Sequence, residues 1–310
     1  MDRQTKLGIN FDPSGRFTLA NAADFSPESL TKIVPWGQFF TMDTAGYMIN
    51  DCHTDKILSP WTTLVAELRQ GILDIWKNRL QGLYLRGSVP RGLAILKVSD
   101  LDSFAILSGE ITQEDIDQAR IIRENLTRRY LFCKKVELIL FDCISIGQSD
   151  WPVIIQTQSL KIAGDYCPLH LGKIKPGADL IHYAYTWEED LTKTLNYLEN
   201  LSLNHLNFSA QVKKQCAWIT RRMVRVGFEL IMEQDQCYTP DLYYCYQRFS
   251  AYFPEHQTSM RKALELAIAP SQNRPGLIIF LRSFGRCLVE EIKQILPVKA
   301  PELLIESKVE

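Results

Sequence analysis

The sequence predicts an α+β protein: a small mixed β-sheet backed by helices, followed by an all-helical C-terminal domain. Three observations carry that expectation. Two short apolar stretches, Leu83 to Arg86 and Asp100 to Leu107, flank a Gly87-Ser88 turn and a linking segment. A third, Val136 to Asp142, follows a run of helical periodicity. From Ala178 onward, apolar residues recur only at helical spacing.

Taken in order, residues 1–55 lack clear periodicity and read as an irregular N-terminal arm, anchored through Trp36, Phe39 and Phe40. Ser59-Pro60 then opens a helix, with serine as N-cap and proline at the first helical position. Leu64, Val65, Leu68, Ile72, Ile75 and Trp76 give that helix its apolar face, and it ends near Asn78. The two strands around Gly87-Ser88 follow. A long helix is expected from Thr112 to Phe132, with acidic Glu114 and Asp115 in its first turn and Arg128-Arg129 near its end, as the helix dipole favours. Strand 136–142 comes next. Over Trp151 to Gly164 the pattern fits a short helix to Gln158 and then a strand through Ile162. Five helices are expected at about 186–202, 207–233, 239–251, 255–269 and 275–295, with Thr239-Pro240 and Asn273-Arg274-Pro275 as boundaries. The resulting division is an arm over 1–55, a sheet-bearing domain over 56–175, a helical domain over 176–297 and a polar tail over 298–310.

Composition narrows the function classes. The 310 residues carry 35 Lys and Arg against 36 Asp and Glu, and a near-neutral chain argues against a dedicated nucleic-acid coat. The 46% apolar fraction is that of a folded globular protein. No apolar run approaches the roughly 18 residues of a membrane span, and MDRQTKLGINFDPSG lacks the apolar core of a signal peptide. The expectation is a cytoplasmic protein with no membrane partner. Eight scattered cysteines without a CxxC read as reduced, partly buried residues. A zinc site would require Cys52-His53 and Cys167-x-x-His170 to converge.

The chemistry concentrates at Asp100-Leu101-Asp102. Alternation along a strand puts Asp100 and Asp102 on one face and Leu101 on the other. Two adjacent carboxylates repel unless a cation lies between them, and hard oxygen ligands suit Mg²⁺. Asp102 lies within an apolar strand, where aspartate is disfavoured. Gly87 allows close backbone approach, and Ser88 offers an N–H and a hydroxyl to a phosphate. Arg91 is near enough to reach a phosphate or simply water, and Ser99 is a turn former or a ligand. The bland alternatives are an ordinary tight turn and a strand-entry Ser-Asp.

An apolar strand, Gly87-Ser88, the interval Val89 to Ser99 and then Asp100-Leu101-Asp102 with Phe104, Ile106 and Leu107 resemble the signature of the nucleotidyltransferase superfamily that includes DNA polymerase beta. Within it, the chain is most similar to stand-alone antibiotic enzymes such as aminoglycoside nucleotidyltransferases, which follow a small catalytic domain with a helical one. The resemblance implies that 56–175 is the catalytic domain. It implies that Glu137 is the third carboxylate, as metal ligand, general base or both, with Asp142 as its substitute. Gly87, Ser88 and Arg91 would contact a nucleoside triphosphate, ATP being the commonest choice. A basic residue of the helical domain would clamp its terminal phosphates. Lys213, Lys214, Arg221, Arg222 and Arg225 occur with no acid between Ala210 and Phe228, and Lys214, Arg221 and Arg225 share a helix face, against the plain alternative of a solvated surface. The aromatic group from Tyr238 to Phe253 offers stacking or, more simply, core.

The reaction so implied moves a nucleoside monophosphate to an acceptor hydroxyl and releases pyrophosphate, with two Mg²⁺ ions roughly 3.5–4 Å apart. A small molecule such as an aminoglycoside is the favoured acceptor. Transfer RNA or a protein hydroxyl is the alternative, as in toxin-like members. A non-catalytic nucleotide-binding or interaction protein is the alternative of another class.

Overall fold

Short apolar strands buried on both faces, and helical stripes long enough to cover them, generate an α+β fold, described by a computed structural model over residues 9–11, 17–19, 33–147, 149, 151–166, 172–203 and 206–296. The chain divides into two units, Met1–Val34 and Pro35–Glu310. In the first, β1 (Ile9–Phe11) and β2 (Phe17–Leu19) pair antiparallel, Ile9 opposite Leu19. An irregular arm is expected there, because three-residue strands are too short to show a period.

The second unit begins with an extended segment whose aromatics pack on the helical half. Phe39 lies 5.1 Å from the Tyr244 ring and Phe40 5.5 Å from the Tyr238 ring. Helix α1 (Trp61–Trp76) buries Trp61, Leu64, Val65, Leu68, Ile72 and Trp76. Its N-cap is Pro60 rather than Ser59, and no described side chain caps it. Instead the Trp61 N–H closes a turn on the Leu58 carbonyl at 2.9 Å, and the buried Trp61 ring meets Phe132 edge-on at 5.2 Å.

Strands β3 (Leu80–Arg86) and β4 (Leu101–Leu107) follow, the first starting earlier than expected. Helix α2 (Gln113–Arg129) opens with a Thr112/Asp115 capping box. It stops before Phe132, since Tyr130 leaves helical geometry and the Tyr130 and Phe132 rings pack against each other at 5.6 Å. Strand β5 (Val136–Asp142), helix α3 (Cys143–Gly147), helix α4 (Trp151–Gln158) and strand β6 (Ser159–Ala163) complete this half. The five-residue α3 is not foreseen from the sequence.

The strands are ordered β5-β4-β3-β6. Strand β3 runs antiparallel to β4 and β6, while β4 and β5 are parallel, so the sheet is mixed. One face buries Leu83, Leu85, Leu101, Ala105, Leu107, Val136 and Leu138 together with residues of α1 and α2. The other buries Tyr84, Phe104 and Ile106 with Ile146 and Ile155, and Tyr84 stacks on Phe104 at 5.0 Å. Asp102 lies on this second face, beyond the Tyr84, Phe104 and Ile106 cluster.

The helical half comprises α5 (Tyr183–Asn200), α6 (Phe208–Asp235), α7 (Leu242–Tyr252), α8 (Gln257–Ile268), α9 (Arg274–Phe280) and α10 (Arg286–Ile295). A π turn, Leu281–Gly285, joins α9 to α10 within the run expected as one helix. There the Trp187 indole donates to the Gly285 carbonyl at 2.9 Å, and a Cβ on Gly285 would lie 2.9 Å from Leu191. Close approach of α5 therefore coincides with the widened turn. Among the described residues, no helix is long and apolar enough to cross a membrane. The polar tail, Cys167 and His170 lie outside the described residues; Cys52 is buried, and its neighbour His53 is exposed.

Candidate active site

Strand register assembles the acidic cluster. In the parallel β4–β5 pair, Asp102 stands directly opposite Glu137, and in the antiparallel β3–β4 pair it stands opposite Arg86. Directly paired residues project to the same side, so Arg86, Asp102 and Glu137 form a row across three strands. Asp100 precedes Asp102 by two and shares its side. The sheet thus brings together the three carboxylates singled out in the sequence.

Gly87 follows Arg86 at φ +78, and a Cβ there would sit 2.4 Å from Asp102 Oδ2. Glycine is therefore required twice, by the left-handed backbone and by the carboxylate lying against its Cα. Ser88 is half-buried in the same turn, and its carbonyl accepts from the Leu93 N–H at 2.9 Å. Ser99 is a turn former: its Oγ accepts from the Ile95 N–H at 2.9 Å.

The electrostatics are those of crowded acids. Burial pushes the Asp102 carboxyl up to about 6; Arg86 and Arg225 pull it down, while Glu137 and Asp100 raise it. Burial also raises Asp100, opposed by Lys134, Lys135 and Arg221 and reinforced by Glu137. Asp100 Oδ1 is buried without a hydrogen-bond donor among the described residues, the Lys134 ammonium standing off at 3.8 Å. Lys135 pairs with Glu137 at 2.5 Å. Clustered hard oxygen donors, one of them the unsatisfied Asp100 Oδ1, suit a divalent cation, and Asp100, Asp102 and Glu137 fit magnesium in ligand type.

Asp142, the substitute for Glu137, pairs with Leu107 at the far end of the strand from Asp102. Its Oδ1 accepts from the Ile144 and Ser145 N–H groups, both at 2.8 Å, and its Oδ2 from the Ser145 hydroxyl at 2.6 Å. It caps α3 at the other end of β5.

A cavity of about 190 Å³ lies beside Asp102, lined by Arg86 and Gly87 from the sheet half and by Tyr183, Arg225, Glu229 and Tyr238 from the helical half. Arg221 and Arg225 lie one turn apart on α6, and their charges act on Asp100 and Asp102 respectively. Lys213 and Lys214 are exposed, outside the cavity lining. Arg222 is turned to Asp190, at 2.7 Å. Arg91 lines the cavity, but its guanidinium is committed: Nη1 reaches Asp241 at 3.3 Å, Nη2 donates to the Gln38 carbonyl at 3.0 Å, and the group lies over the Phe40 ring at 4.2 Å. Of the aromatic group, Phe249 is core and Tyr238 lines the cavity.

Sequence reasoning missed Arg86, Tyr183 and Glu229. Arg86 was detectable as a lone cation ending an apolar strand beside Gly87; it lies over the Trp151 ring at 5.2 Å. Glu229 is buried in the interior of α6, where its carboxylate accepts the N–H groups of His182 and Tyr183 at 3.2 Å and Ala184 at 2.7 Å. It satisfies the opening of α5, a role invisible without the helix pairing. Burial nevertheless pushes it up to about 7, against those three N–H donors.

No family model matches the chain, and no curated protein does. Among solved structures, the chain is similar to spectinomycin adenyltransferase AAD(9) from Enterococcus faecialis, determined with ATP and spectinomycin. The identity is 14%, the match covers 75% of this chain and 99% of that one, and the TM-score is 0.43.

Proposed function

We propose that this chain is a cytoplasmic, magnesium-dependent nucleotidyltransferase that moves a nucleoside monophosphate from a triphosphate, ATP first, to the hydroxyl of a small molecule. The observation that carries this reading is the register pairing of Asp102 with Glu137, with Gly87 against the Asp102 carboxylate at the edge of a cavity. Free thiols at the described cysteines are in keeping with a reducing compartment.

Asp100, Asp102 and Glu137 would hold the metal. When bound, magnesium neutralises the triphosphate and acidifies the acceptor hydroxyl. Gly87, at the cavity wall beside Asp102, and the Ser88 N–H and hydroxyl would receive the phosphates. Arg86, with Arg221 and Arg225 from α6, offsets the charge that builds on the departing pyrophosphate. Glu137, on the edge strand β5, takes the proton of the acceptor hydroxyl as its oxygen attacks the α phosphorus. The bond from that phosphorus to the bridging oxygen breaks, and pyrophosphate leaves. A small acceptor is favoured because the cavity is narrow and shared between both halves, with Tyr183, Phe228 and Tyr238 in its lining.

The test is incubation with Mg²⁺ and each α-labelled triphosphate in the presence of an aminoglycoside panel, transfer RNA or cell lysate. Label in a small-molecule product, lost in Asp102→Asn, is expected. Label in RNA or protein instead would keep the chemistry and replace the acceptor. Absence of metal-dependent nucleotide binding by calorimetry would sink the enzyme reading in favour of a scaffold.

A further inference from the structure

A second cluster of metal-ligating side chains lies away from the acidic row, and none of its members lines the Asp102 cavity. His256 ends the short turn Pro254–His256 that leads into α8, while Cys287 and Glu291 are one turn apart on α10. Their donor atoms all lie within 4.8 Å of one another. His256 Nε2 is 3.3 Å from Glu291 Oε1 and 3.7 Å from Cys287 Sγ.

Those separations are informative. Zinc bonds of about 2.0–2.3 Å at tetrahedral angles put neighbouring ligand atoms roughly 3.4–3.6 Å apart. A catalytic Cys-His-Glu relay is excluded by the same contacts. Such a relay needs the thiol on one ring nitrogen and the carboxylate on the other, whereas both approach Nε2 here. A thiol and a carboxylate converging on one ring nitrogen, with all three donor atoms within 4.8 Å, describe a ligand set. The imidazole is also held in place: it stacks near Phe249 at 6.5 Å and Phe253 at 6.2 Å and meets Phe284 at 5.9 Å. A rigid ring and two ligands at i and i+4 on one helix are the preorganisation a metal site requires.

We propose that His256 Nε2, the Cys287 thiolate and a Glu291 carboxylate oxygen bind one Zn²⁺, with water as the fourth ligand. The mixed nitrogen, sulfur and oxygen set suits zinc over magnesium, because thiolate and imidazole favour a borderline-soft cation. On binding, the Cys287 thiol releases its proton to solvent. The site clips α10 to the turn between α7 and α8, and it is independent of nucleotidyl transfer.

The experiment uses the full chain, stripped with a chelator and titrated with Co²⁺ as a spectroscopic stand-in for Zn²⁺. One equivalent is expected to produce a thiolate-to-cobalt charge-transfer band in the near ultraviolet that Zn²⁺ abolishes and Mg²⁺ does not. Zn²⁺ alone is expected to raise the melting temperature of the stripped protein. Asp102→Asn keeps the band, which separates this site from the acidic row. Cys287→Ser, nearly isosteric and checked for folding by circular dichroism, loses it. His256→Gln weakens Zn²⁺ binding, measured against a chromogenic chelator, by more than the roughly 10–100-fold typical of losing an outer-shell partner. Absence of the band in the wild type, or its persistence in Cys287→Ser, overturns the assignment.

Discussion

Asp102 sits where a protein would not place a carboxylate for stability. Burial holds its carboxyl up at about 6, above the ordinary aspartate value, so the charged form opposes folding once pH exceeds the unfolded value. Asp102→Asn removes that charge. The expected outcome is loss of nucleotidyl transfer with an unchanged or higher melting temperature in metal-free buffer; near-normal turnover would refute the assignment. Gly87 is constrained by the same carboxylate. Gly87→Ala places a Cβ 2.4 Å from Asp102 Oδ2 at φ +78. The left-handed backbone alone costs about 1–2 kcal/mol for a residue with a side chain. The denaturant midpoint should fall accordingly and transfer should fail, because the displaced carboxylate no longer faces Glu137.

Among the elements, α2 shows how much a single capped helix contributes. Burial alone would raise the Asp115 carboxyl. The Thr112 N–H and hydroxyl, the Trp76 indole and the Arg79 guanidinium together outweigh it and hold the group at about 2. Trp76 Nε1 donates at 2.8 Å and Arg79 Nη1 at 2.9 Å, so one carboxylate ties α1, the start of β3 and the N-terminus of α2. A lowered folded value contributes stability that is complete above the unfolded value and is lost as pH falls through the folded one. The window therefore runs from about pH 4 down to about pH 2. The shift corresponds to roughly 2 kcal/mol. Asp115→Asn should lose about that much at neutral pH by chemical denaturation, and its stability should no longer decline across that acid window.

Across the whole molecule, the sheet half and helical half of the second unit are joined through Arg91. Its guanidinium bonds Asp241 from the start of α7 and Gln38 from the extended segment, and Asp241 also accepts the Gln38 N–H at 2.9 Å. Removing one partner of a buried pair costs about 3–5 kcal/mol. Arg91→Ala should lower stability by about 3 kcal/mol, read by denaturant titration. It should also raise the KM for the triphosphate, because the cavity loses part of its wall. A contact to phosphate alone, as the sequence position suggests, would raise KM and leave the denaturant midpoint where it was. The two effects measured on one variant decide which role Arg91 has.

The chain's consecutive residues determined a good deal. Strand β5 is legible to its ends as Val136 to Asp142, since a short apolar run between Lys134-Lys135 and Asp142 needs no partner to be seen. So are the Gly87 turn and the common side of Asp100 and Asp102, both local consequences of backbone geometry. Over Trp151 to Gly164 the sequence is ambiguous, and the structure resolves it as α4 to Gln158 followed by β6 from Ser159. Register, partners and convergence were decided only by the tertiary structure. Glu137 meets Asp102 because β4 and β5 pair in one register out of several the pattern allows. Arg91 finds Asp241 across 150 residues, and His256 finds Cys287 and Glu291 across more than a turn of any helix. Local periodicity is a property of adjacent residues and survives in the bare sequence. Which distant side chains share a point in space is fixed by how the helices and sheet bury their apolar faces, and no stretch of the chain encodes that alone.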